Sequence, residues 1–446
     1  MFWIEFAVLL TMILIGSQMK GIGLGVMGMV GLFIFLFVFK MKPTDPPLDV
    51  MLIIMAIVTT AATLQASGGL DYLVQLAERI IRSNPSNITF IAPFTVYFLC
   101  LFAGTAHIVY SLLPIIAEVS AKKRIRPERP LSISVIASHL ALTGSPMSAA
   151  TAALVVILAY PGALVDIMMI CIPACIIGLL IGCFSVFKYG LELEKDPIFI
   201  EKMKDPEFAK SMNVTAEGEE KTLKPGAKTS VLIFTFAIVL IIIAGAFPST
   251  VPSFESGAKT LAVAANGSLS MVTIISVITL TASAAMMLIT KTSTADVTKA
   301  SLFTSMASAV VSIFGVVWMS STFMNSNSVL IQKSLGGIVS DYPWTFAIAV
   351  FIMGVLMFSQ AATTKTMMPL GIALGLPPSV LMAVFPAVNS DFVLPGYPTL
   401  LAAINFDRTG STRIGKYVVN HSFNLPGVVA IGVAIAVGFL LGSFLL

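Results

Sequence analysis

The sequence predicts an all-α polytopic membrane protein made of two inverted-topology repeats, each containing a re-entrant helical hairpin and a broken transmembrane helix. Of its 446 residues 57% are hydrophobic and only 11% are charged, and the mean hydropathy is +0.97. Soluble domains contain about 25% charged residues, so the composition alone indicates a bilayer. The two-repeat plan is indicated by matching Gly- and Pro-interrupted apolar stretches, which occur once in each half of the chain.

Most apolar runs reach the roughly 17 to 25 residues that cross a bilayer. The first run should be retained, because MFWIEFAVLL lacks the basic start of a signal peptide and contains acidic Glu5. We expect ten spans, two of them broken, over residues 2–18, 21–39, 49–66, 131–160 (broken), 163–187, 230–247, 270–289, 303–323, 379–406 (broken) and 417–445.

Two pairs of shorter apolar runs lie between these spans and predict re-entrant hairpins over 88–120 and 343–376. The first pair is interrupted at Gly104 and the second at Ser359. Unpaired backbone groups in hydrocarbon cost several kcal/mol each, so such breaks persist only where protein or a watery cavity meets them. Paired interruptions in two halves of a chain are the sequence pattern of a transporter's binding site.

The repeat extends beyond the hairpins. An amphipathic helix is expected before each one, over 71–82 before the first and, with a weaker pattern, over 331–339 before the second. We therefore expect a first repeat over 1–187 and a second over 229–446. Residues 188–228 contain eight Lys, nine Asp or Glu and few aromatic residues, and are expected to be a cytoplasmic linker.

The basic residues predict the topology. With the N-terminus outside, 21 of the 26 lie in segments that would face the cytoplasm, and Lys365 lies within a hairpin. This arrangement puts the ends of the two hairpins on opposite sides of the membrane. The basic loop with Arg124, Arg126, Glu128 and Arg129 is expected to be solvated and to fix the topology; the alternative is that it attracts acidic substrate or contacts a partner.

The interruptions also contain the residues expected to bind substrate. Helix N-termini present free N–H groups and partial positive charge, so they hold anions, and two such sites close together suit a small dicarboxylate. For any single hydroxyl residue, the alternative is that it merely lets helices pack closely. The expected substrate-binding residues are Gly104, Thr105, His107, Thr143, Gly144, Ser145, Ser148, Ser359, Gln360, Thr363, Lys365, Asn389, Pro395 and Thr399.

Ionisable residues inside a membrane are functional by default, and four lie near the breaks. Lys365 follows the second hairpin tip, and its alternative role is a lysine that snorkels to the interface. His107 could donate to a carboxylate or carry a proton, or be a neutral histidine satisfied by backbone; His139 is a weaker candidate of the same kind. Asp391 could ligate a cation, balance Lys365 or relay a proton. His107 and Asp391 are therefore the candidates for ion or proton coupling.

Other classes of function are disfavoured. The sequence contains no nucleophile with a base and an orienting partner, so no enzyme is expected, and no Walker-type glycine loop, so no pump is expected. Cys100, Cys171, Cys175 and Cys183 lie in apolar runs without metal-ligand spacing and are interpreted as packing residues. No metal, cofactor or nucleic-acid partner is expected. A channel stays open as an alternative, because hairpins also build pores.

Five stretches resemble the Dcu family of anaerobic C4-dicarboxylate transporters, of the DcuA and DcuB type. They are GTAHIVYSLLPIIAEV (104–119), IRPERP (125–130), TLQASGGLD (63–71), FSQAA (358–362) and LPGYPTLLAAINFDRTGSTRIGKYVVNHSFNLPG (394–427). The resemblance implies exchange of fumarate, malate or aspartate taken up for succinate released, across a bacterial inner membrane during anaerobic fumarate respiration. It also implies kinship with elevator-type carriers and, by analogy with them, a homodimer.

The resemblance implies a multi-pass protein of the bacterial inner membrane, and the charge distribution then predicts both chain termini in the periplasm. The expected partners are C4-dicarboxylates, the lipid bilayer and a second copy of the chain; a sensor protein as a further partner has no support in the sequence. The alternatives to exchange are proton- or sodium-coupled dicarboxylate symport and, less favoured, an anion channel. The chain departs from the family's usual pattern at Ala106, 363–366 and 399–400, so the resemblance implies a class of substrate rather than one dicarboxylate.

Overall fold

The computed structural model describes residues 1–19, 22–213, 223–255, 257, 260–263, 267–357, 359–394, 397–415 and 420–446. Within these ranges the chain forms helices and three isolated β-bridges, and contains no strand. The all-α prediction is confirmed for the part of the chain that the structure describes.

The first half contains nine α-helices within the described ranges. A π-helical turn over Ile34–Val38 continues the second of them. They are α1 (Phe2–Met19), α2 (Gly23–Phe33), α3 (Leu48–Ala66), α4 (Gly69–Ser83), α5 (Ile88–Ala103), α6 (Val109–Lys122), α7 (Glu128–Leu140), α8 (Ala149–Leu158) and α9 (Ala163–Val186).

The linker forms two short helices, and the second half forms nine helices within the described ranges. A 3₁₀-helix over Phe385–Phe392 continues α18. They are α10 (Pro197–Lys202) and α11 (Pro206–Asn213) in the linker, then α12 (Ala227–Ala246), α13 (Met271–Thr290), α14 (Thr294–Lys299), α15 (Ser301–Asp341), α16 (Thr345–Met357), α17 (Gln360–Ala373), α18 (Pro378–Val384), α19 (Pro398–Phe406) and α20 (Asn424–Leu445).

Several helices are suited to a bilayer. In the described ranges five are long and apolar enough to cross one: α5 with its preceding turn, α9, α12, α13 and α20. The bent pair α3 and α4 would add a sixth. These helices fit a membrane protein, while the expected count of ten spans stays a prediction.

The two predicted amphipathic helices have different outcomes. The first is α4, which follows a left-handed Gly68 (φ 82°) and is bent by 72° from α3. It buries Leu70, Ala77 and Ile81 against the protein. The second prediction is wrong, because residues 331–339 continue the 41-residue helix α15 and form no helix of their own.

Equivalent helices of the two halves pack in equivalent ways. Helix α9 lies against α20, α2 packs on α15, and α13 packs on α3. Within the first half α5 packs on α7, and within the second half α16 packs on the 3₁₀-helix 385–392. Between the halves, α8 packs on α17 and α6 packs on α19. The broken helices and the paired short helices therefore form one contiguous body at the centre of the molecule.

Three of the four residues expected in a solvated basic loop at the start of α7 are buried, which corrects the expectation from the sequence; Arg124 is half-buried. Arg126, Glu128 and Arg129 are only 4%, 5% and 6% exposed. Buried charges are tolerated when they are paired, and the partners come partly from the linker, since Arg126 contacts Asp196 and Arg129 contacts Glu192. The linker is therefore docked onto the helical body over this stretch.

Candidate substrate site at two broken helices

The first break separates α7 from α8. Ser148 caps α8 by accepting hydrogen bonds from the amides of Ala150 and Thr151. The Thr151 hydroxyl accepts from the Gly144 amide at 3.0 Å and donates to the Leu142 carbonyl at 2.9 Å. Local polar side chains thus satisfy the backbone groups that the break frees.

The second break lies between the 3₁₀-helix 385–392 and α19. Asn389 departs from helical geometry (φ −87°, ψ 18°). Its side-chain amide donates to the Thr143 hydroxyl at 2.6 Å and to the Pro386 carbonyl at 3.0 Å. The bond between Asn389 and Thr143 joins the two breaks directly. Pro395, expected in the site, lies outside the described residues.

His139 on α7 holds both sides of the second break. Its Nδ1 lies 2.9 Å from Asp391 Oδ1 and its Nε2 lies 2.9 Å from Thr399 Oγ1. All three residues are fully buried, and the Tyr397 ring meets the imidazole edge-on at 4.7 Å. A neutral imidazole protonated at Nδ1 would donate to Asp391 and accept from Thr399, so one tautomer satisfies both contacts. The bridge fixes α7 to segments more than 250 positions away.

The turn between α5 and α6, which the sequence predicts to be the tip of the first hairpin, is pressed against the first break. Gly104 ends α5 with φ 70°, and a Cβ there would lie 2.2 Å from the Met147 carbonyl oxygen. Only glycine fits this approach. Thr105 then accepts from the His107 amide at 3.3 Å and caps the following turn.

The start of α17, which the sequence predicts to follow the tip of the second hairpin, has a similar local structure. Ser359 caps α17 by accepting from the Ala362 amide at 3.3 Å. Helix α17 packs on α8, and Ala361 and Ala149 both pack against a small cluster that contains Ala153. The N-terminus of α17 therefore lies beside the first break, as the first hairpin tip does.

Equivalent hydrogen bonds hold α5 to the segment after α7 and α16 to the 3₁₀-helix 385–392. Ser145 donates to the Leu101 carbonyl at 2.6 Å, and Ser390 donates to the Phe351 carbonyl at 2.6 Å. Leu101 lies near the end of α5, and Phe351 lies within the corresponding helix α16. This recurrence agrees with the two-repeat plan.

Helix α17 carries three buried donor groups without a hydrogen-bond partner among the described residues: Gln360 Nε2, Lys365 Nζ and Thr366 Oγ1. Lys365 is 2% exposed, so its amine does not snorkel to the surface of this structure. Most buried polar groups are satisfied, and an unpaired buried ammonium is costly. Each of these donors is therefore a candidate for binding an anion, which would supply the missing hydrogen-bond partner.

Two acceptor atoms on the second broken helix are also buried without a partner in the described ranges. They are Asn389 Oδ1 and Asp391 Oδ2. Asp391 bonds to His139 and not to Lys365, so the interpretation that it balances Lys365 is wrong here. No three His, Cys, Asp or Glu side chains among the described residues come together in a metal-ligand group.

Other expected site residues are placed less centrally. His107 is exposed at the first hairpin tip, and its ring stacks with Tyr110 at 6.1 Å. The Thr363 hydroxyl donates to the Ser359 carbonyl one turn back at 2.9 Å, so it serves its own helix. From the sequence, His139 is a weaker site candidate than His107, yet in the structure it contacts both sides of the second break. Its position one turn before Thr143 is the sequence feature that points to this region.

Comparisons with known proteins show which family the chain belongs to. The family model described as "Anaerobic c4-dicarboxylate membrane transporter" matches residues 1–446. The chain is 40% identical to the C4-dicarboxylate transporter DcuA of Wolinella succinogenes over 99% of both chains. It is 38% identical to the anaerobic C4-dicarboxylate transporter DcuB of Escherichia coli O6:H1 and 37% identical to DcuA of Escherichia coli K12, again over 99% of each chain. The chain therefore belongs to the family of anaerobic C4-dicarboxylate membrane transporters, and is a transporter rather than an enzyme.

Proposed function

We propose that this transporter exchanges C4-dicarboxylates, taking up fumarate, malate or aspartate and releasing succinate, across a bacterial inner membrane during anaerobic fumarate respiration. The observation that carries the proposal is the set of unpartnered donors on α17, next to two broken helices that are tied together. The two carboxylates of each of these substrates present only acceptors at neutral pH. Its carboxylates would supply partners for Lys365 and Gln360, which the described residues leave unmatched.

The transport step in this proposal is an elevator movement. The binding unit consists of α5–α9 and α16–α20, and includes both hairpins and both broken helices. His139 and Asn389 tie its two halves together, which supports movement as one body. The second unit consists of α1–α3, α12, α13 and α15, and would form the scaffold and the homodimer interface. Re-entrant hairpins in inverted orientation would let the site open to either side in turn.

Orientation follows from the charge distribution. The positive-inside rule places the linker and most basic segments in the cytoplasm and both termini in the periplasm. The first hairpin then enters from the cytoplasm and the second from the periplasm.

Symport coupled to protons or sodium is the second candidate, and one observation favours it. Asn389 Oδ1 and Asp391 Oδ2 are buried acceptors without partners in the described ranges. A cation, or a proton on the carboxylate, would satisfy such atoms. The unpartnered donors on α17 are common to both candidates, so only the driving force distinguishes them.

Counterflow in proteoliposomes tests the proposal. Labelled succinate outside should accumulate when the vesicles contain unlabelled fumarate, malate or aspartate, and not when they contain lactate, because both carboxylates are needed to complete the site. Accumulation in vesicles without internal dicarboxylate, driven by a proton or sodium gradient, would establish symport instead. Flux that needs neither a gradient nor a counter-substrate would indicate an anion channel.

A further inference from the structure

The first part of the linker, residues 189–202, is bound to the start of α7. Arg126 donates from Nε to Glu128 Oε2 at 2.6 Å and from Nη1 to Asp196 Oδ2 at 2.5 Å. It also contacts the Leu191 carbonyl at 3.3 Å. We call Arg126, Glu128 and Asp196 the clamp; all three are buried.

Arg129 lengthens this attachment. Its guanidinium donates to the Tyr189 carbonyl at 2.9 Å, to the Gly190 carbonyl at 3.3 Å and to the Glu192 carboxylate at 3.0 Å. At the other end of the segment, Lys202 donates to the Arg408 carbonyl at 2.8 Å. Residues 189–202 are thus held along their length.

The clamp also reaches the loop that follows α19. The Glu128 amide donates to Ser411 Oγ at 3.1 Å, and the Ser422 hydroxyl donates to Glu128 Oε1 at 2.6 Å. Asp407 organises this loop by accepting from the Ser411 hydroxyl at 2.7 Å and the Thr412 amide at 2.6 Å. The first linker segment, α7 and the loop after α19 therefore form one hydrogen-bonded body, which lies within the binding unit.

The last part of the linker is attached elsewhere. Lys224 donates to the Ala66 carbonyl, at the end of α3, at 2.9 Å, and its side-chain carbons lie against Gly68. Lys228 lies over the Tyr72 ring at 5.7 Å. These contacts are with the end of α3 and with α4, and Lys228 is itself the second residue of α12. Helices α3 and α12 belong to the second unit, whereas α4 adjoins both units, since its Arg82 also pairs with Glu118 of α6.

We propose that the linker is the tether between the two units of the carrier: residues 189–202 travel with the binding unit, and residues 224–228 stay with the second unit. This inference rests on the elevator movement proposed above. The contrast in attachment supports it. Buried charge pairs and many directional bonds hold the first segment, whereas one lysine hydrogen bond and one cation–π contact hold the last.

Chemical cross-linking in each docked segment tests the tether. Lys202→Cys with Arg408→Cys joins the first segment to the binding unit, and Lys228→Cys with Tyr72→Cys joins the last segment to its neighbour α4. Each pair would be bridged by a short bifunctional thiol reagent after reconstitution, so folding is not at issue. The four native cysteines are buried, which limits background reaction.

The expected result is undiminished succinate counterflow with either bridge and with both together, because neither joint moves during the cycle. Loss of counterflow after bridging 202 to 408 would show that the first segment must leave the binding unit, and would overturn the inference. Loss of counterflow after bridging 228 to 72 would also overturn the inference. Absence of counterflow before any bridge is made would count against the proposed function instead, so the two failures are distinguishable.

Discussion

Two buried polar networks of this protein differ in how completely they are satisfied. In the clamp, Arg126 meets carboxylates of both Glu128 and Asp196, and Ser422 completes Glu128. At the broken helices, the Asn389 and Asp391 side chains each keep one unmatched oxygen, and the Lys365 amine has no hydrogen-bond partner in the described ranges.

This difference in hydrogen bonding indicates the role of each network. A fully paired buried network stabilises one arrangement of the chain, whereas a partly paired one leaves desolvated groups uncompensated. A folded protein keeps such groups where a ligand, an ion or water completes them. The clamp is thus interpreted as architecture and the region around the breaks as a binding site, and mutations should separate the two.

The largest effect is expected from Arg126→Gln. Removing one partner of a buried ion pair leaves uncompensated charge and costs about 3–5 kcal/mol, here on Glu128 and Asp196. The melting temperature in detergent should therefore fall strongly, while the succinate affinity of the folded fraction stays unchanged. Arg408→Gln is a matched control, because Arg408 is exposed and offers its carbonyl rather than its side chain to Lys202.

Lys365→Gln should give the opposite pattern. A hydrogen bond to a charged group contributes about 1.5–3 kcal/mol, so loss of the bond to a carboxylate should weaken succinate binding by roughly ten- to a hundredfold, at about 1.4 kcal/mol per decade. Stability should change little, because the amine makes no hydrogen bond among the described residues. The measurements are a succinate binding isotherm and a melting curve on the same purified protein.

Two controls sharpen the Lys365 result. Lys365→Arg should not restore affinity, because the planar guanidinium needs more room than an ammonium group. Lys299→Gln changes an exposed lysine on α14 and should leave affinity unchanged. Normal affinity in Lys365→Gln would remove this residue from the site, and a marked loss of stability would assign it to the architecture.

The sequence predicted the breaks well, because the signals that make them are local. Gly104 is needed for a positive φ and a close approach to Met147. Ser148 and Ser359 cap the helices that restart after the interruptions. Glycine, serine and proline at the ends of apolar runs indicate where a helix ends and where the next one begins, and the signal lies within a few residues.

The sequence could not predict the clamp, because its partners are distant along the chain. Asp196 lies 70 positions after Arg126, and Ser411 lies 283 positions after Glu128. A run of charged residues between apolar segments resembles a solvated loop until its partners are known. His139 presents the same difficulty, since its contacts with Asp391 and Thr399 span 252 and 260 positions.

The two halves offer a smaller comparison. Ser145→Ala removes the bond to the Leu101 carbonyl, and Ser390→Ala removes the bond to the Phe351 carbonyl. Each change should lower stability by about 0.5–1.5 kcal/mol, and by similar amounts if the two serines are equivalent. Melting curves of both variants measure this. A large effect in only one half would argue against the structural repeat at these positions.

The smallest effect is expected when the pH is lowered and the clamp carboxylates become protonated. Burial opposes ionisation of Asp196, but hydrogen bonds from the Arg126 side chain and the Ile198 amide outweigh it and lower the pKa of Asp196 below its ordinary value. A carboxyl with a lowered folded-state pKa adds stability that is fully present above its unfolded pKa, and that is lost as the pH falls through the folded value. The clamp should therefore be intact at neutral pH and weaken only below about pH 4.

An environment-sensitive fluorophore on Lys195→Cys can follow this release, because Lys195 is exposed and adjacent to Asp196. The emission should be constant at neutral pH and shift at the acid end as residues 189–202 leave α7. Asp196→Asn cannot ionise, so the labelled double variant should lose the part of the acid shift that Asp196 causes. An identical acid shift in both proteins would show that another group releases the linker. Because the succinate site shares none of these residues, affinity measured over the same pH range should not follow the fluorescence transition.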